Sequence, residues 1–181
     1  MANAKREERK PRVVEQDAFE KYVVDRKSVV KVTAGGRHNR WRILVVVGDK
    51  KGQIGYGIGK SKDPTIATEK ATNAAKRNLV KVPIIDGTIP HEMLGKYNST
   101  KVVMLPAKQG NGIIAGSAVR YVLELAGYTD ITAKKHGSNN KLNMVLATIE
   151  GLKSLRTVEQ IAELRGKTVE EILGGASNGN N

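Results

Sequence analysis

Residues Gln53 to Gly59 read QIGYGIG, with glycine at every other position. In an extended strand successive side chains point to opposite faces, so this spacing strips one face down to bare backbone. Such a face is kept only where something approaches the strand closely. Before it, Trp41 to Val47 is an apolar, β-branched run, and the strand region Tyr22 to Thr33, with Val23, Val24, Val29, Val30 and Val32, is interrupted by DRKS. Between those two strands stands TAGGRHNRWR, Thr33 to Arg42, whose paired Gly35 and Gly36 supply the positive-φ freedom for a turn. A second turn, GDKKG, spans Gly48 to Gly52.

Asp63 followed by Pro64 marks a helix start, an N-cap acceptor with proline at the first helical position. The helix carries Ala67, Ala71, Ala74, Ala75, Leu79 and Val82 at helical spacing, small enough to lie close to a sheet, and ends near Val82-Pro83. The first unit is therefore β-β-β-α over residues 19–82, behind a basic flexible arm at residues 1–18. The second unit, residues 83–155, opens with a hairpin of Thr88 to Tyr97 and Lys101 to Ala107. QGNG then leads into a helix bearing Ile114, Ala118, Val122 and Leu125, stopped by Gly127. A strand from Asp130 to Lys134 and a helix bearing Leu142, Val145, Leu146, Ile149 and Leu152 complete it. Residues 156–181 hold two short helices, opened by capping boxes at Thr157 to Gln160 and Thr168 to Glu171, and a disordered tail.

Charge is distributed unevenly. The chain of 181 residues has 31 Lys+Arg against 18 Asp+Glu, a formal net charge of +13. Residues 1–82 hold 20 of the bases and 9 of the acids, while residues 83–181 hold 11 and 9. Between Arg26 and Val47 lie six basic side chains and no acidic one. A solubility face mixes signs, so a single-sign stretch favours a polyanionic partner. Arg26, Lys27, Lys31, Arg37, Arg40, Arg42 and Lys50 are expected on or beside the hairpin, with His38 in its turn and Lys51 next to Lys50. Arginine forks match phosphate oxygens two at a time. Aromatics are only 4% of residues, too few for a platform that stacks unpaired bases, so structured RNA read by backbone shape is the expected target. The glycine strand, with Lys60 and Lys62 near the helix N-terminus, is expected to make a second RNA contact.

No cysteine is present, which removes disulfides and thiolate sites. GYGIGKS resembles a phosphate-binding loop, but Ile54 stands where that loop needs its first glycine. GNGIIA, Gly110 to Ala115, fits a dinucleotide fingerprint with Asp130 twenty residues on. Against it, Asp130 precedes its strand and Pro106 lies in the strand leading in. The plainer expectation is a phosphate site at a helix N-terminus formed by Gly110 and Gly112 with Lys108 beside it. His38, His91 and His136 have no partners at metal-ligand spacing, and no catalytic constellation or cofactor is expected.

GGR followed by W, then VVVGDKKGQIGYGIGKS, NAAKRNLV, GTIPH and GNGIIAGSAVRYVLELAGYTDITAKKHGS, resembles the bacterial small-subunit (30S) ribosomal protein number five family, from Phe19 to Leu173. The resemblance implies an α+β fold: an N-terminal double-stranded-RNA-binding-like domain and a C-terminal α/β domain with a left-handed β-α-β crossover. It implies a non-enzymatic cytoplasmic protein that binds 16S ribosomal RNA (rRNA). It also implies contacts with small-subunit proteins three, four and eight and with messenger RNA (mRNA) where it enters the subunit. The family's extended hairpin corresponds to Arg26 to Arg42, with AGGRHN at its tip. A dinucleotide-dependent enzyme and a free-standing double-stranded-RNA binder are the alternatives.

Overall fold

A computed structural model describes residues 19–174, and the expected N-terminal arm and C-terminal tail lie outside the described residues. Strands β1 (Glu20–Thr33), β2 (Gly36–Gly48) and β3 (Gln53–Ser61) form an antiparallel meander, followed by helix α1 (Pro64–Arg77). DRKS does not interrupt β1. A bulge between Val23 and Asp25 absorbs the change of register, and pairing with β2 continues to the tip. The helix also ends earlier than expected, at Asn78, and Leu79–Lys81 becomes a fourth strand, β4, paired with Gln53 to Gly55. Leu79 and Val82 fit a helical stripe, but Leu79 serves an edge strand paired with β3, and Val82 follows that strand with its amide donating to the Gly52 carbonyl. At the start of α1, Pro64 sits as expected, whereas the Asp63 side chain makes no capping bond.

Ile43 to Val47 are all buried, which requires cover on both faces of the sheet. Ile43, Val45 and Val47 pack against Ala67, Ala71 and Ala75 of α1. Leu44 and Val46 point the other way, into a cluster shared with the C-terminal half.

The glycine face of β3 is the seat of α1. A Cβ placed on Gly59, Gly57 or Gly55 would lie 1.9, 2.0 or 2.4 Å from the carbonyl oxygens of Ala67, Ala71 and Ala75. Two residues of strand advance about 6.8 Å and four residues of helix about 6 Å, so glycines at i+2 meet alanines at i+4 along the whole seam. What approaches the bare strand is therefore the chain's own helix, and that face is closed to RNA.

The second sheet has strand order β5-β6-β8-β7, built from β5 (Met93–Tyr97), β6 (Thr100–Pro106), β7 (Ile113–Ile114) and β8 (Ile131–Gly137). β5 starts at Met93 instead of Thr88. β7 runs parallel to β8, and helix α2 (Ser117–Ala126) crosses between them. Ile114 thus belongs to a strand and not to α2, because its backbone pairs with Thr132. Helix α3 (Lys141–Lys153) packs on β5, where a Cβ on Gly95 would meet the Ala147 carbonyl at 2.1 Å. Helices α4 (Val158–Arg165) and α5 (Val169–Gly174) follow. Thr157 and Gln160 make the full reciprocal capping box, and Thr168 Oγ1 accepts from the Glu171 amide at 3.3 Å.

Helix α2 is buried on both sides. Val122 and Leu125 belong to the same apolar cluster as Leu44, Val46 and Ile54 of the first sheet and Val102, Met104 and Ile131 of the second. Tyr22 stacks on Tyr121 with ring centroids 3.6 Å apart, and Lys141 reaches Asp25 at 3.3 Å. The connecting segment is tied as well: the Tyr128 hydroxyl donates to the Pro83 carbonyl at 2.8 Å, and burial pushes its pKa up.

Gly57→Ala is expected to destabilise the chain by about 1–3 kcal/mol or more, because its Cβ meets helix backbone that has no room to yield. Gly35→Ala, which meets nothing within 4 Å, is the neutral control. Urea denaturation of both variants checks this.

Candidate nucleic-acid interface

β3 pairs with β2 only as far as Trp41, so Val29 to Thr33 and Gly36 to Arg40 run on as a bare two-stranded ribbon. Its turn is Ala34-Gly35, closed by the Thr33–Gly36 pair, with the Thr33 hydroxyl donating to the Gly36 carbonyl at 3.1 Å. Gly36 takes a φ of +130°, a conformation that L side chains rarely adopt.

Directly opposed residues of antiparallel strands share a face, so the register sorts the side chains. One face carries Lys27, Val29, Lys31, His38, Arg40 and Arg42, and the strand pairing of Arg42 with Lys60 adds a third strand to it. The other carries Arg26, Ser28, Val30, Val32, Arg37, Asn39 and Trp41. Lys27, Arg42 and Lys60 thus stand in one row across three strands. Like charges directly opposite are unfavourable, and this row persists without adequate counter-ions. Among the described residues, Lys27 reaches Asp25 at 3.6 Å, but Arg26, Lys31, Arg37, Arg40, Arg42, Lys60 and Lys62 have no carboxylate within 4 Å. Lys31, Arg37, His38, Arg40 and Lys62 line one open groove of about 760 Å³.

Lys50 and Lys51 are elsewhere. They occupy the β2–β3 turn, and β2 is 13 residues long, which puts them about 40 Å from the tip. Lys50 is also engaged, 2.7 Å from Glu20. Antiparallel strands send alternate turns to opposite ends, so nearness in sequence misplaced this pair.

The Gly110–Gly112 loop does not open a helix, since α2 begins at Ser117 behind Gly116. Its amides already hold an anion. The Gly112 N–H donates to Asp130 Oδ1 at 2.9 Å, and the Thr129 hydroxyl donates to Oδ2 at 3.0 Å. The Gly112 amide first, then Thr129, with further help from Gly110 and Asn111, holds the Asp130 carboxyl below the usual carboxylate range although burial opposes this. A carboxylate filling this nest stands where a pyrophosphate would have to sit, so the dinucleotide reading fails. Lys108 contributes its backbone carbonyl to the loop, accepting from Asn111 at 3.2 Å.

One basic surface escaped the sequence reading. On the face of the second sheet turned away from α3, Lys96 pairs with Lys101 and Lys101 with His136, while Lys134 lies one row along. Exposed Leu94, Leu105 and Ile114 adjoin them. Alternation within β6 and β8 was the available signal, but summing charge over the whole half concealed it. His91 lies half-buried beside Ile161, Leu164 and Arg165 of α4, far along the chain from the other histidines.

Comparison with known proteins defines the class. A family model for the ribosomal protein S5 N-terminal domain matches residues 19–83, and one for the ribosomal protein S5 C-terminal domain matches residues 95–165. Small ribosomal subunit protein uS5 of Thermotoga maritima is 45% identical over 168 residues, covering 93% of this chain and 94% of that protein. The chain belongs to the ribosomal protein S5 family, whose members are structural and non-enzymatic. No helix among the described residues is long and apolar enough to cross a membrane.

Two outcomes follow from the geometry. Asp130 is depressed in the folded state, so its contribution is present above the unfolded carboxylate pKa, about 4, and is lost as pH falls through the lower folded value. Asp130→Asn should remove that part of the acid limb in a series of melts from pH 5 to pH 2. Lys60→Gln should stabilise the free protein by about a few tenths of a kcal/mol of relieved repulsion, read as a slightly higher melting temperature, while weakening RNA binding.

Proposed function

We propose that this chain is a structural constituent of the small ribosomal subunit that binds 16S rRNA through the β1–β2 ribbon. The carrying observation is the Lys27–Arg42–Lys60 row with Arg40 and Lys31 beyond it, cations held in register with few carboxylates to answer them. In the free protein that arrangement costs stability, and phosphates placed against it repay the cost. Two strands stiffen the ribbon so that its reach is not lost to disorder, and Gly35 and Gly36 keep the tip narrow enough to pass between RNA strands. Arg37, His38 and Lys62 widen the contact toward the tip, and Arg26 extends it at the base of the ribbon beside the sheet body. Lys50, Lys51 and Lys108 are further candidate contacts, the first two at the opposite end of the sheet.

The cytoplasmic ribosome is the setting in which this arrangement has a use. The exposed face of the second sheet, with Lys96, Lys101 and Lys134 beside Leu94, Leu105 and Ile114, suits neighbouring proteins, and small-subunit proteins three, four and eight are the expected ones. With mRNA passing the ribbon as it enters the subunit, the chain contributes to assembly, decoding fidelity and the mRNA channel.

The test is salt dependence. With about six phosphates engaged, binding to 16S rRNA should follow a log–log salt slope of roughly −4 to −5, and the triple variant Arg37→Gln, Arg40→Gln, Arg42→Gln should flatten it by roughly 2–3. Melting should stay cooperative, since Arg37 and Arg40 lie outside the core. Unchanged low-salt affinity in the triple variant would remove the ribbon from the interface, and failure to co-sediment with 30S particles would point to a free-standing RNA binder.

A further inference from the structure

The ribbon has a second face that phosphate binding does not explain. Val30 and Val32 stand two residues apart on β1, 54% and 71% exposed, with Arg37 and Asn39 opposite them and Trp41 at the inner end. Helix α1 covers this side of the sheet only from Ile43 inward, and Trp41 is the last side chain packed against it. Beyond that point the valines form an apolar strip that no other described residue covers. An arginine stands at each end, Arg26 beside the sheet body and Arg37 near the tip, six residues of strand or about 20 Å apart. Neither has a carboxylate within 4 Å among the described residues.

We propose that this face, Val30, Val32 and Asn39 between Arg26 and Arg37, seats on the minor groove of an RNA helix. The inference rests on the reading of the ribbon as an RNA-binding element. The A-form minor groove is wide and shallow, lined by riboses and 2′-hydroxyls and bounded by phosphates. An apolar strip fits the ribose surface, the Asn39 amide can exchange hydrogen bonds with 2′-hydroxyls and base edges, and the two guanidinium groups fall at the phosphate margins. The opposite face, with Lys27, Lys31, Arg40 and Arg42, then meets a second run of phosphates. The ribbon is thereby a wedge with two unlike sides, and its apolar side is the one that tells RNA from DNA.

Val30→Thr with Val32→Thr keeps the β-branched shape, so the ribbon is preserved while the apolar contact is removed. Binding of the full chain to 16S rRNA and to 20-base-pair RNA and DNA duplexes of one sequence is measured across a salt series. The double variant should bind both RNAs about tenfold more weakly with an unchanged salt slope, and should bind the DNA as before. Val29→Thr, on the phosphate face, should bind like the parent. Parental RNA affinity in the double variant, or an equal loss on DNA, overturns the minor-groove assignment and leaves the phosphate face standing. A flat salt response in the parent chain overturns the ribbon reading itself.

Discussion

Ile43 to Val47 must be enclosed from two sides, and nearly every feature of the molecule answers to that demand. A sheet with one helix would cover Ile43, Val45 and Val47 and leave Leu44 and Val46 in water. Burying a side chain of that size fully is worth about 1.5–3 kcal/mol, so the second face draws the C-terminal half onto the first sheet through α2. The Tyr22–Tyr121 stack, the Lys141–Asp25 ion pair and the Tyr128–Pro83 hydrogen bond sit around that junction. The same strand then leaves the core at Arg42 and continues into solvent. Its outer part is aimed by its inner part, which is clamped.

Ribbon and core are therefore one continuous object. Along β2 the alternation that sends Ile43 toward α1 and Leu44 toward α2 also sends Arg37 and Arg40 to opposite faces of the ribbon. A register slip of one residue would exchange the two faces of a strand and misplace core and cations together. The bulge at Val23 and Asp25 resists such a slip, since it tucks Val24 into the shared cluster and leaves Asp25 beside Lys27 and Lys141. The acid nearest to the cationic row is thus held at its inner edge, and the outer ribbon carries positive charge alone.

Much of this was legible from residue order. Strong β-branched runs around a two-glycine turn marked the hairpin, and a single-sign charge stretch marked what it carries. The alternating glycines correctly announced a close approach, yet periodicity does not name the visitor. Ala67, Ala71 and Ala75 supplied the answer only once helix and strand spacings were laid side by side. Other features depended on pairing that no local pattern encodes. Leu79 and Val80 suit helix and edge strand alike, and Ile113-Ile114 became a strand because Ile131 and Thr132 offered a free edge. Asp130 stands twenty residues beyond Gly110, and that distance along the chain could not reveal that its own carboxylate fills the glycine loop.

The seam between β3 and α1 has a property that follows from its regularity. Glycines every two residues facing alanines every four make a repeating contact, and a repeating contact fits nearly as well after sliding by one helical turn. With so few side-chain rotamers in the seam, packing alone discriminates poorly between those positions. The tie-breaker is the connection: only Lys62 and Asp63 separate the end of β3 from the start of α1. So short a tether chooses a single phase for the helix, and the chain's tightest joint owes its uniqueness to two residues that take no part in it.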